Sequence, residues 1–164
     1  MTPKVFDGIQ AFLTHVAAAE VALLAVEARA LKKAALLIEK EAKGEIGHYQ
    51  PEVGPFPAWA PLADSTEASK AAKGYPAGAP LLASGAMRRD IGHVIEGHEA
   101  VIGSPDEKAV FHEFGTSKMP PRPVFGPAVY KNLDKLHALM GAEVVAGIID
   151  GKPASGGDTY FIGK

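Results

Sequence analysis

The chain contains no cysteine, and this absence removes three kinds of site at once. Without thiols there is no disulfide, no cysteine nucleophile and no cysteine-ligated zinc. Aromatic residues are also scarce, at 7%, with Trp59 as the single tryptophan. Charge of neither sign dominates, because the chain has 17 Lys and Arg residues and 19 Asp and Glu residues, which give a net charge of −2. The molecule as a whole is therefore not expected to bind polyanions.

Long hydrophobic segments are limited as well. The apolar run at residues 8–19 is short for a bilayer span, and Glu20, Glu27 and Arg29 place charges in the next ten residues. No small-residue cleavage site ends a short apolar core near the first residue. The 164 residues have an ordinary composition, with 47% hydrophobic and 22% charged side chains. We expect one soluble domain over residues 1–150, a flexible tail over 151–164, and synthesis in a cytoplasm.

Residues 5–43 predict one long helix, because apolar side chains recur every three or four positions. Asp7 with Gln10 resembles a capping pair, and Gly44 is a natural stop. Such a helix extends roughly 55 Å at 1.5 Å per residue, which is more than a small domain covers. Either the whole stripe is buried in its own domain, or part of it packs against another subunit. The stripe consists of Phe6, Ile9, Leu13, Ala17, Val21, Leu24, Ala28, Leu31, Ala35, Ile38 and Ala42.

Residues 44–80 contain six prolines and several glycines, and they predict a long irregular loop. A short helix is expected inside it, from Ser65 or Thr66 to Lys73. Trp59 lies in the middle of the loop. Its ring either fixes the loop to the core, which is the commoner role, or anchors an interface with another protein.

Two β runs come next, at residues 91–96 and 99–103, and Gly97-His98 between them suits a tight hairpin turn. A hairpin alone is marginal in water, so the β-prone segment 159–162, another segment or another subunit should extend the sheet. The motif Ser104-Pro105-Asp106-Glu107 then predicts a helix with Ser104 as its cap, ending at Gly115.

Three prolines, at positions 120, 121 and 123, predict an extended link, and residues 127–149 predict a third helix. The fold class indicated is α+β, with a long N-terminal helix and a C-terminal helix packed on a small antiparallel sheet. The apolar stripe of the third helix consists of Leu133, Leu136, Met140, Val144 and Ile148.

No catalytic sequence motif is complete in this chain. His112-Glu113 opens like a zinc-binding helix, but position 116 is Thr116 where a second histidine is needed. The other histidines lack ligand spacing, and no nucleophile elbow or phosphate loop occurs. Arg88-Arg89 could contact phosphates or an acidic partner, or be a solvated pair. The PPRP run at residues 120–123 fits either a rigid connector or a ligand for a proline-binding groove. We expect no catalytic residue, cofactor or metal.

The string FHEFGTSKMPPRP at residues 111–123 resembles the signature of the tail-completion and neck proteins of tailed bacteriophages. This virion-morphogenesis group includes the Mu G and lambda Z kinds of protein. Residues 59–62 resemble its tryptophan-proline-leucine element, residues 82–91 its serine-glycine-arginine block, and residues 102–104 its strand end. The chain departs from the pattern at Asp90, where serine is usual, and at Val124, which displaces Phe125 by one place. The similarity covers residues 59–128 in family order.

The resemblance implies a non-enzymatic virion component at the head–tail junction that forms a ring, commonly sixfold. Its implied partners are copies of itself and neighbouring head-connector and tail proteins. No membrane and no sequence-specific nucleic acid are implied, although DNA would pass through the ring. The implied location is the neck or tail of the virion, after assembly in the host cytoplasm.

Ten side chains are candidates for protein interaction. We expect the three phenylalanines to pack, His112 and Glu113 to make polar contacts, and Arg122 to bridge to a carboxylate across subunits. Alternatives are a tail-terminator or minor tail protein, a proline-directed binding module, and, more distantly, a metal-dependent hydrolase using His112 and Glu113. The candidates are Trp59, Arg88, Arg89, Phe111, His112, Glu113, Phe114, Met119, Arg122 and Phe125.

Overall fold

The computed structural model describes residues 7–150. The predictions for Val5, Phe6 and the tail 151–164, with its β-prone segment 159–162, lie outside these residues, as does the side chain of Ile148. The α+β class is confirmed, because helices accompany one small antiparallel sheet. The elements in chain order are α1 (Ile9–Glu45), α2 (Asp64–Ala72), α3 (Ala86–Asp90), β1 (Gly92–Glu96), β2 (Glu99–Gly103), α4 (Glu107–Phe114), α5 (Phe125–Lys131) and α6 (Leu133–Asp150).

The predicted long helix is confirmed as α1, but both of its predicted ends are wrong. The helix begins after Gly8, whose φ is 89°, and no side chain caps it, so Asp7 does not act as the expected cap. At the other end α1 continues through Gly44 to Glu45, and Ile46 then takes an extended conformation. Its 37 residues correspond to about 55 Å of helix. The two extra residues bring the chain to Ile46, which is buried in the core.

Helix α6 packs antiparallel along the C-terminal half of α1. Lys131, where α5 ends beside α6, donates to Glu45 at 2.9 Å, and Lys33 donates to Glu143 of α6 at 2.5 Å. Lys33 and Glu45 are twelve residues apart, and so are Lys131 and Glu143. The two segments therefore stay side by side over this length. By the same register, the described end of α6 lies beside Val26 of α1.

The β-hairpin lies along another side of α1. His93 contacts Glu39 at 2.5 Å, and His98 contacts Glu27 at 2.8 Å. The predicted hairpin turn is confirmed, with Gly97 at φ 58°, whereas the first strand begins at Gly92 and not at Ile91. Among the described residues the sheet has two strands, so nothing there extends it.

The core is formed where α1, the loop, the hairpin and α5 meet. Its buried members are Ile38, Ala42, Ile46, Trp59, Ile91, Val124 and Ala128. Trp59 is only 5% exposed, which confirms the interpretation that its ring fixes the loop to the core. The loop also contains α2, one residue earlier at each end than predicted.

The C-terminal helix is interrupted, so the prediction of one helix over residues 127–149 is wrong. Asn132 separates α5 from α6 with φ −113° and ψ 10°, and its buried amide donates to the Ala128 carbonyl at 2.9 Å. Of the apolar stripe identified on this helix, Leu136 packs on the core, whereas Leu133, Met140 and Val144 are exposed.

The N-terminal half of α1 presents an apolar surface to solvent. Ile9 and Val21 are each 70% exposed, and Leu13, Val16 and Leu24 are also exposed. One 18-residue window of α1 has a mean hydropathy of 1.7 and is 6% buried. By length and composition alone α1 could cross a membrane. The shortness of the apolar run at residues 8–19 is therefore not sufficient to exclude a membrane-spanning helix.

Candidate functional site

The motif at residues 111–125 folds as α4, a tight turn and an extended link that leads into α5. The start of α4 differs from the prediction, because Asp106, and not Ser104, caps it by accepting the Lys108 N–H at 3.0 Å. Ser104 instead accepts the N–H of Asp106 at 3.2 Å. The predicted end is confirmed at Gly115.

Gly115 is required by its backbone and by its neighbours. It has φ 73° and ψ −179°, a region that only glycine adopts readily. A Cβ atom built there would lie 2.9 Å from both the Met119 carbonyl oxygen and the Pro121 nitrogen. The chain then turns back on itself through two backbone hydrogen bonds between Thr116 and Met119, at 2.9 and 3.2 Å. Gly115 thus allows the link to pass directly against the end of α4.

Glu113 caps the start of α5 from inside the motif. One carboxylate oxygen accepts the N–H groups of Val124 at 2.7 Å and Phe125 at 3.2 Å, and the other accepts that of Gly126 at 3.1 Å. These donors have no partner within α5, since the first turn of a helix leaves its N–H groups free. The carboxylate also lies at the positive end of the helix dipole.

Arg122 is held by hydrogen bonds within its own chain. Its guanidinium donates to the carbonyls of Ala60 and Pro61 at 3.0 and 3.1 Å, and the side chain is only 4% exposed. Its backbone N–H donates to the His112 carbonyl at 2.6 Å. Arg122 therefore joins the link, α4 and the Trp59 loop within one chain. Its expected bridge to a carboxylate of another subunit stays a prediction.

His112 is half-buried beneath the link, and its Nδ1 atom is buried without a hydrogen-bond partner. Burial lowers the pKa of His112, and the nearby positive charge of Arg122 lowers it further. Among residues 7–150, no group of three His, Asp or Glu side chains is arranged to hold a metal ion. His112 and Glu113 act here through packing and helix capping.

The aromatic residues of the motif divide into two sets. Phe125 packs against the core, as expected. Phe111 is exposed and Phe114 is 79% exposed, so neither packs against the core of this chain. Their packing against another subunit stays a prediction. With exposed Val110, they form what we call the α4 apolar patch: Val110, Phe111 and Phe114.

The remaining candidates are Met119, within the motif, and Arg88 and Arg89, which precede it on α3. Met119 lines a cavity beneath the link. Arg88 and Arg89 are exposed on α3, where they line an open groove with Lys43, and Arg89 also donates to the Ser84 carbonyl at 3.3 Å. The ten candidates are thus not one cluster: Trp59, His112, Glu113, Arg122 and Phe125 hold the motif in place, whereas Phe111 and Phe114 face solvent.

Several residues of this region were not predicted from sequence. Lys70 of α2 is buried and donates to the Ala79 carbonyl, and Leu81 and Leu82 line the same cavity as Met119. Leu81 has φ 61°, the only positive value outside glycine among the described residues. A lysine in an alanine-rich helix and two leucines after a proline give no signal in the sequence that would single them out.

The sequence profile of the phage virion morphogenesis family matches residues 11–134, and the chain belongs to this family. The match extends from α1 to the start of α6, well beyond the motif itself. No curated protein and no solved structure matches the chain. The family indicates a structural part in building the phage particle rather than a catalytic one.

Proposed function

We propose that this protein is a neck or tail-completion protein, which forms a ring of six copies that finishes the tail and joins it to the head. The observation that carries the proposal is the exposed apolar face of α1. By the register with α6, residues 9–25 of α1 extend past the described end of that helix, over about 25 Å at 1.5 Å per residue. Exposed apolar surfaces of this extent mark interaction sites.

A second surface supports assembly through unlike faces. The α4 apolar patch adjoins the motif that Arg122 and Glu113 hold in place, whereas the exposed half of α1 belongs to the N-terminal end of the chain. A closed ring requires contact between two different faces of neighbouring subunits. We propose that the exposed half of α1 from one subunit packs against the next subunit on the side that carries Phe111 and Phe114.

The mass of the full chain in solution tests this proposal. We expect light scattering after gel filtration to give about six times the 17.1 kDa chain mass. Leu13→Glu should shift the population to monomer, because a charge at a buried contact is costly. Ala11→Glu is the matched control, since it places the same residue at an exposed position of the same helical segment, about 160° around the helix from Leu13. A wild-type monomer at all concentrations, or equal masses for both variants, would contradict the proposal.

Mass spectrometry of separately purified heads and tails, before joining, tests the location of the protein. A tail-completion protein, like the alternative of a tail-terminator or minor tail protein, should be found with tails, and recovery with heads alone would contradict both. A hydrolase using His112 and Glu113 would require a different arrangement, since Glu113 is occupied by three backbone N–H groups.

The apolar face of α1 has one other use, as a membrane anchor, and flotation of the protein with lipid vesicles tests it. Recovery with lipid and no self-association would support an anchor and contradict the ring.

A further inference from the structure

A cavity of about 350 Å³ lies between the Trp59 loop, residues 81–83 and the link that carries Met119. Its walls are largely apolar and include Leu62, Leu81, Leu82 and Met119. No residue of the exposed half of α1 and none of the α4 apolar patch lines it, so it is separate from both surfaces proposed for ring assembly. A pocket of this size and character is typical of a binding site for a small group or a side chain.

The charges around the cavity are of one sign. Lys70, Lys118 and Arg122 line it, together with His112, and no Asp or Glu is among the lining residues, all of which the structure describes. None of the three cations has an ion-pair partner within residues 7–150. Buried charges are normally paired, so this cavity has an excess of positive charge that a carboxylate would balance.

Arg122 gives the clearest indication of a missing partner. Its side chain is nearly fully buried, its only hydrogen-bond partners are neutral carbonyls, and its Nε atom has no partner. The Nδ1 atom of His112, beside the same cavity, is also buried without a partner. A guanidinium favours a carboxylate because two N–H groups can donate to its two oxygens.

We propose that this cavity binds an acidic segment of a partner protein, with a glutamate or aspartate side chain directed toward Arg122 and a neighbouring apolar side chain against Leu62, Leu81 and Leu82. A bare anion would leave the apolar walls without contacts. A nucleic acid would find no Phe, Tyr or Trp ring among the lining residues on which a base could stack. The position of Leu81 in a strained backbone conformation places its side chain in this wall.

A pair of blocked peptides tests the proposal on the full-length protein. One has the sequence leucine–glutamate–leucine and the other leucine–glutamine–leucine, each acetylated and amidated so that no terminal carboxylate competes. We expect the glutamate peptide to bind at least about tenfold more tightly, because hydrogen bonds to charged groups are the stronger ones. Amide shifts in NMR spectra should fall on residues around the cavity. Equal affinities, or shifts elsewhere, would overturn the proposal.

Matched lysine variants locate the site. Lys118→Gln removes an exposed cation at the cavity, and Lys73→Gln removes one outside it, at the end of α2. The first should weaken binding of the glutamate peptide several-fold and the second should not; equal effects would count against the cavity. Arg122→Gln should abolish the preference for glutamate, provided that its thermal unfolding shows a folded protein. If that variant does not fold, the lysine pair still decides the question.

His112 supplies an independent readout. Because the charge of Arg122 helps to lower the pKa of His112, a carboxylate bound to Arg122 should raise that pKa again. A histidine NMR titration should show this rise with the glutamate peptide and not with the glutamine peptide. Inorganic phosphate that produced the same rise and the same shifts at equal concentration would show anion binding without peptide recognition, and would overturn the proposal. Ring formation is not needed for any of these results.

Discussion

The Glu113 carboxylate accepts the Val124 N–H at 2.7 Å, and through this bond the end of one helix fixes the start of another. The same carboxylate accepts two further N–H groups of α5. A histidine–glutamate pair that resembles part of a metal site is therefore, in this chain, a capping device. Glu113 thus contacts a helix that begins twelve residues later in the chain.

Removing this cap should destabilise the domain. Glu113→Ala leaves three N–H groups without their acceptor, and we expect a loss of about 2–3 kcal/mol in the free energy of unfolding. Glu113→Gln keeps one acceptor oxygen and should lose roughly half as much. Chemical denaturation measures both. Glu52→Ala, at an exposed loop position, is the control, and a loss as large as that of Glu113→Ala would contradict the capping role.

Local patterns were sufficient to predict the elements that depend on local contacts. The three-to-four spacing of apolar residues gave α1, and Gly97-His98 gave the turn between β1 and β2. The break at Asn132 was missed because its cause is tertiary: the amide is buried and bonded to the Ala128 carbonyl, and asparagine within an apolar pattern is only a weak helix breaker.

The site was harder to predict, because its contacts join distant parts of the chain. Arg122 binds carbonyls 61 and 62 residues earlier, and no spacing rule relates these positions. The resemblance to the virion morphogenesis family identified the motif, but it could not separate residues that hold the motif from residues that face outward. Phe111 and Phe125 have the same side chain, and only the packing shows that one is exposed and the other lies against the core.

The two kinds of phenylalanine should therefore respond differently to truncation. Phe125→Ala removes a ring that packs on the core and should cost about 3 kcal/mol of stability. Phe114→Ser changes a side chain that is 79% exposed and should alter stability by no more than about 0.5 kcal/mol. Phage complementation should nevertheless show fewer joined particles with Phe114→Ser, because the α4 apolar patch is proposed to contact another subunit. Normal particle yields from Phe114→Ser would show that the α4 apolar patch is not part of the interface.

Gly115 should tolerate no side chain. Gly115→Ala combines an unfavourable backbone conformation with contacts of 2.9 Å to the Met119 oxygen and the Pro121 nitrogen, so we expect a loss of about 2 kcal/mol or more. Gly74→Ala is the matched control, since Gly74 also has a positive φ, of 69°, but has open space around it. It should cost about 1 kcal/mol for the backbone alone. Equal losses in the free energy of unfolding, measured by thermal or chemical denaturation, would mean that the close contact of the link with Gly115 adds nothing to the cost of the side chain.

Two carboxylates of α1 should give the stability opposite dependences on pH. Burial raises the pKa of Glu45 above its ordinary 4.5, despite the bond from Lys131. Hydrogen bonds from Lys43 and then His93 lower the pKa of Glu39 below the same value. The contribution of Glu45 is therefore complete below pH 4.5 and is lost as pH rises through its folded pKa, whereas that of Glu39 is present above pH 4.5 and is lost as pH falls through its folded pKa.

Glutamine variants at the two positions separate these effects. As pH rises from 4.5 to neutrality, Glu45→Gln should gain stability relative to the wild type, because it has no buried carboxyl group to ionise. As pH rises toward 4.5, the wild type gains stability from the ionised Glu39, and Glu39→Gln does not. The variant should therefore become less stable than the wild type over this range, and above pH 4.5 the difference should stay constant. Urea unfolding at a series of pH values measures both differences. Parallel curves for the two variants would contradict the opposite effects that burial has on Glu45 and that the hydrogen bonds from Lys43 and His93 have on Glu39.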